Sequence, residues 1–208
     1  MNDQTSFENH VRPIDVVLIA RDVIQEYQKR TGEPIEFPVP ILNGGILDTI
    51  STVANIDTID VECLKWPGDI IKGCVARYQN KDSKASIWYS SSLNTCWSRF
   101  VICKEAAHLL IGDDKNYTTD PVALVNGLID QIPPGVDEAI DAENLALYCA
   151  MELLIPKVSR DALYKMENEG LSDYEIAYEL KVPEQLITVR LNPQMRKFLD
   201  DAHDNLAL

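Results

Sequence analysis

Long apolar runs are missing from this chain of 208 residues. No stretch approaches the roughly eighteen uninterrupted apolar residues that a membrane-spanning helix needs. Positive charge is also in deficit, with 19 Lys and Arg against 33 Asp and Glu and a formal net charge of -14. Such a surface repels phosphate backbones, and no local basic patch offsets it, so direct nucleic-acid binding is not expected and a protein partner is. Five cysteines (63, 74, 96, 103 and 149) are odd in number and unclustered. The opening MNDQTSFENHVRP has neither a basic n-region nor an apolar h-region, so the expected location is the reduced cytoplasm. Internal repeats and low-complexity tracts are absent. What remains is ordinary, with 46% hydrophobic and 25% charged residues, and suits one globular domain or one domain with a small appendage.

Apolar residues recur at helical spacing from Ile14 to Tyr27, and Gly32-Glu33-Pro34 ends that run, which predicts an N-terminal helix. Two prolines and a Gly-Gly pair interrupt 35-IEFPVPILNGGILDTISTVANI-56, leaving a possible second helix from Ile46 to Ala54. The runs 70-IIKGCVARYQ-79 and 84-KASIWYSSSL-93 are β-rich and flank Asn80-Lys81-Asp82-Ser83, the pattern of a hairpin. Beyond Gly112 the pattern turns helical, over 119–131 until Pro133-Pro134 and over 136–155 until Pro156. Three or four short helices broken near Gly170, Pro183 and Pro193 are expected to follow. A few strands beside many helices, without βαβ regularity, predict an α+β fold.

Chemistry concentrates in 99-RFVICKEAAHLL-110. Residues four apart on a helix share a face, so Lys104 and His108 point together with Glu105 beside them. In a His-Glu-x-x-His helix the two imidazoles bind zinc and the glutamate serves the metal-bound water as general base. Here Glu105 and His108 occupy the places of base and second ligand, and Lys104 that of the first ligand. An ammonium with an ordinary pKa of about 10.4 has no lone pair to give a metal. Cys103 lies off this face, and as a substitute ligand it is less expected than as a small buried thiol. Half of a ferritin-like di-iron site is set aside, because the remaining histidines, His10 and His203, lie in no second copy of the motif.

Ser98-Arg99-Phe100 before the motif, Leu109-Leu110 after it, 142-AENLALYCAMELLIP-156 and 171-LSDYEIAYELKVPEQLITVRL-191 together resemble the ImmA/IrrE family of metallo-endopeptidases over about residues 85 to 191. The resemblance implies a small gluzincin- or zincin-like domain over 1–156, with an N-terminal helix, a short β-sheet, a motif helix at 99–112 and a helix at 136–155, followed by a C-terminal helical appendage over 157–208. It also implies a third zinc ligand, a glutamate on the later helix. Counted back from Pro156 that ligand falls on Leu145, with Glu143 two residues upstream. Glu143 interrupts the stripe of Ile140, Leu147, Ala150 and Leu154 and should point inward, toward zinc or toward Lys104; a frayed helix start would instead leave it exposed. Glu152, near the opposite face, is expected at the surface. The strand 86-SIWYSSSL-93 is similar to the family's cleft edge, on which an extended substrate lies.

Two functions are open at this point. One is a bacterial or phage regulatory protein that has lost proteolysis and binds a partner such as a repressor, Lys104 neutralising Glu105 or Glu143. The other is an active divergent zinc endopeptidase with His108 and Glu143 as ligands and Glu105 as base. The first is favoured, with zinc absent or weakly held, because losing one of three ligands should cost more than the ~10–100-fold of losing a supporting partner. A structural domain sharing only the helix pattern is a blander third option. The C-terminal helices invite a helix-turn-helix label, but between Leu171 and Leu191 four carboxylates face two cations, and DNA would be repelled.

Overall fold

The computed structural model describes residues 12–65, 76–112, 115–118, 120–130 and 142–204. It is an α+β protein in which a small sheet packs against a larger body of helices. Helix α1 (Pro13–Thr31) starts with proline at its first position, where no amide donor is needed, and ends at Gly32 in the left-handed conformation. The segment that is hard to interpret in the sequence is a tight loop into α2 (Ile46–Val53), held by Ile46 and Leu47 amides donating to the Pro40 and Ile41 carbonyls at 2.9 and 3.0 Å. Gly45 is required there, since a Cβ would lie 2.4 Å from the Pro40 oxygen.

Strand β1 (Thr58–Leu64) follows, an element not anticipated from the sequence. Strands β2 (Ala76–Lys81) and β3 (Lys84–Ser90) form the expected hairpin, the turn falling on Asp82 and Ser83, both at positive φ as a two-residue hairpin turn demands. The first part of the β-rich run 70–79 lies outside the described residues. The sheet order is β1-β3-β2-β4, with β4 (Lys115–Thr118) a second unanticipated strand, antiparallel to β2. Strand β1 runs parallel to β3 and lies at the edge. One sheet face, with Ile59, Val61, Ala85 and Ile87, packs on the helices, while Asp60 and Glu62 of β1 are exposed on the other.

This arrangement corrects one expectation. The strand part of the 86–93 segment is not a cleft edge, because β3 is paired on both sides through Tyr89, by β1 and by β2, and residues 91–93 lie beyond the strand.

Helix α3 (Thr95–Ile111) is capped by the Asn94 side chain, which accepts from the Trp97 amide at 3.0 Å, and stops at Gly112, again left-handed. It lies between the sheet and α5 (Ala142–Leu154). Helix α4 (Pro121–Asp130) precedes α5; residues 131–141, the start of the expected 136–155 helix with Ile140, lie outside the described residues. A 3-10 turn (Lys157–Ser159) leads to α6 (Arg160–Asn168), α7 (Asp173–Leu180), α8 (Glu184–Leu191) and α9 (Pro193–Asp204). Their breaks fall near Gly170, Pro183 and Pro193, as the sequence predicts. Helix α9 packs on α1 and α8 on α4, and the buried apolar residues of these helices join those of α1, α3 and α5 in one cluster. Among the described residues no helix is long and apolar enough to cross a membrane.

Candidate functional site

Residues Phe100 to His108 of α3 are all buried, because the helix is covered by the sheet on one side and by α5 on the other. Lys104, Glu105 and His108 are each 0% exposed. Three ionisable side chains within five helical positions in such surroundings are costly unless they meet partners. The partners come from within the motif and from the first turn of α5. The Lys104 Nζ lies 2.6 Å from Glu143 Oε2 and 3.3 Å from Glu105 Oε1, so the ammonium bridges two carboxylates. Glu143 thus points inward, with its side chain 31% exposed at the mouth of the site. Its second oxygen, Oε1, is buried without a hydrogen bond and lies 3.5 Å from His108 Nε2. Four residues flagged in the sequence therefore meet in one place.

Burial, reinforced by the Lys104 charge, lowers the His108 pKa to about 3, which makes the ring neutral. The unfolded value, 6.5, is higher, so between these limits the unfolded chain binds the extra proton. The stability His108 contributes is complete above about pH 6.5 and is lost as pH falls toward about 3. A proton NMR titration of the ring is expected to find it neutral at pH 5, with Lys104→Met raising its pKa. A midpoint near the ordinary histidine value in the native protein would contradict this environment.

Zinc in the resembled peptidases takes three protein ligands, and among the described residues two are in place. His108 and Glu143 are two donors, but the third corner holds a cation already paired to Glu143, and among the described residues no group of three or more His, Cys, Asp or Glu is placed to hold a metal ion. Cys103 offers no replacement: it is fully buried, and burial pushes its thiol up to about 12, away from the thiolate that ligation needs. Arg99 has a different role. It donates to the Lys181 carbonyl at 3.0 Å and to the Val39 carbonyl at 2.7 Å, tying α3 to the α7–α8 corner and to the loop before α2.

A second buried ionic cluster stands where the sequence pattern predicts an exposed glutamate. Glu152 is 2% exposed rather than at the surface. The helical geometry behind the expectation holds, for Glu152 does face away from Glu143, but that face of α5 is covered by the C-terminal helices. Its carboxylate accepts from Arg160 Nη2 at 3.0 Å, lies 3.1 Å from His203 Nε2, and has Arg190 Nη2 at 3.7 Å; Asp200 pairs with the other side of Arg160. Burial alone would raise the Glu152 pKa, but the His203 hydrogen bond and the Arg190 and Arg160 charges outweigh it and hold the carboxyl below its usual value. A usable signal was the lone charge inside the apolar run 145-LALYCAMELLIP-156.

No protein-family model matches the chain, and no curated protein matches it at a significant level.

Proposed function

We propose that the chain is a non-proteolytic relative of the ImmA/IrrE metallo-endopeptidases, a zincin-like cytoplasmic regulator of bacterial or phage type that recognises a protein partner such as a repressor without cutting it. The observation that carries this is the Lys104 ammonium bridging Glu105 and Glu143. A metallopeptidase site needs an electrophile that polarises the scissile carbonyl and a carboxylate free to take a proton from water. Lys104 puts its own charge where the ion's charge would act. It also engages Glu105 in an ion pair, which ties up the carboxylate that would serve the water. What remains is a buried ionic cluster that reaches the surface at Glu143, a feature suited to recognition.

The divergent-peptidase alternative has one observation in its favour. The 3.5 Å between His108 Nε2 and Glu143 Oε1 is close to the separation of two donors on one tetrahedral ion, each at roughly 2.1 Å from it. Metal analysis decides between the two. Purified protein dialysed against buffer containing a trace of zinc is expected to carry far less than one ion per chain and to leave unstructured protein substrates intact. Stoichiometric zinc, removable by chelator, with proteolysis abolished by Glu105→Gln, would establish the peptidase instead.

A further inference from the structure

The outer edge of the sheet offers a second recognition surface, built from residues other than those of the ionic cluster and independent of the function proposed for it. Strand β1 is paired only on its β3 side; among the described residues no strand lies on the other. The Ser91 amide donates to the Leu64 carbonyl at 2.9 Å. In a parallel ladder bonding alternates along the strand, so Leu64, Glu62 and Asp60 turn their backbone groups toward β3, and Cys63, Val61 and Ile59 turn theirs outward. Every β1 residue is at least partly exposed, which fits an uncovered edge.

The two faces beside this edge differ in chemistry. On the helix side a groove of about 360 Å³ is lined by Leu42, Leu47, Ile59 and Val61, with Asn43 and Asp48, and Leu42 is 43% exposed. On the other side stand Asp60 and Glu62, both exposed. A strand added to β1 would lay successive side chains alternately over the aliphatic side chains of the groove, with Asn43 and Asp48 at hand, and beside the Asp60 and Glu62 carboxylates. A second copy of this chain fits poorly, because pairing β1 with itself brings Asp60 and Glu62 against the same residues of the partner. A chain of net charge -14 adds a general bias toward cationic partners.

We propose that the edge of β1 that is unpaired among the described residues takes up an extended segment of a partner protein in which apolar residues alternate with lysine or arginine. Backbone pairing to Ile59, Val61 and Cys63 holds the segment, the groove selects its apolar positions, and Asp60 and Glu62 select its basic ones.

The test uses a blocked peptide of alternating valine and lysine, as long as β1 (7 residues), titrated into the 208-residue chain by calorimetry and followed by amide NMR. Saturable binding is expected, with the largest shifts at the Ile59, Val61 and Cys63 amides. The double variant Asp60→Lys/Glu62→Lys changes only exposed side chains and should weaken binding by about tenfold or more while accepting the valine–glutamate peptide instead. The same valine–lysine peptide N-methylated on alternate amides keeps its charge but cannot pair on one edge, and should also bind at least about tenfold more weakly when that edge is the one presented. Equal affinity for the plain peptide and for both registers of N-methylation would mean charge attraction alone and overturn the proposal. So would shifts elsewhere, no binding, or sedimentation showing a dimer that the double variant dissolves. Substitutions at Lys104 should leave the titration unchanged, so failure of this proposal and failure of the cleft assignment are separable.

Discussion

Lys104→His protein is expected to bind close to one zinc ion per chain, with affinity at least about a hundredfold above that of the native sequence, read by competition with a chromophoric chelator. The substitution replaces the one cation in the motif by an imidazole one helical turn from His108, completing His-Glu-x-x-His. It also releases Glu143, whose Oε1 already lies 3.5 Å from His108 Nε2. Removing a mere supporting partner from a zinc site changes affinity by ~10–100-fold, so supplying a missing ligand should exceed that. The ion would further compensate Glu105 and Glu143, which the substitution otherwise leaves without their ammonium. A Lys104→His variant that folds and still binds no zinc would show that Glu143 cannot act as a ligand, and would remove the metallopeptidase ancestry from the explanation of this site.

Glu152→Ala is expected to destabilise the protein by about 3–5 kcal/mol, the usual cost of removing one partner of a buried ion pair and stranding the other. Here the stranded groups are Arg190 and His203, with Arg160 left to Asp200 alone, and all three are at least nine-tenths buried. Urea unfolding monitored by circular dichroism measures the loss. A change below about 1 kcal/mol would mean that the cluster is solvated or repacks freely. In the native protein the same group makes stability pH-dependent. Because the folded pKa of Glu152 is depressed, its contribution is fully present above the unfolded value of about 4.5 and is lost as pH falls through the lower folded value. The alanine variant should lose that acid-limb dependence along with the stability.

The helices were legible in the sequence because their stops are chemical: Gly32, Gly112 and Gly170 take the left-handed conformation, and Pro183 and Pro193 bound the helices beside them. The 104, 105, 108 cluster was legible for a similar reason, since helical periodicity alone places those residues together. Glu143 was reachable as the polar break in an apolar stripe. Strands β1 and β4 were not. TIDVECL alternates only weakly, with Asp60 and Glu62 on an open face, and KNYT is four residues of polar character. Nothing local announces that β1 pairs with β3 rather than leaving β3 as the edge, because that is decided by tertiary packing. Glu152 was misjudged for the same reason: helical geometry tells which way a side chain points but not what comes to cover it.

The Arg99 guanidinium joins a loop carbonyl 60 positions before it in the chain to another 82 positions after it. Neither half of the protein can satisfy that side chain alone, so a fragment cut near Pro156 would retain a half-buried cation missing one of its acceptors and a face of α5 stripped of its cover. A single unfolding transition is therefore expected, coincident by circular dichroism and by tryptophan fluorescence, with the last fifty residues melting together with the helix that carries Lys104.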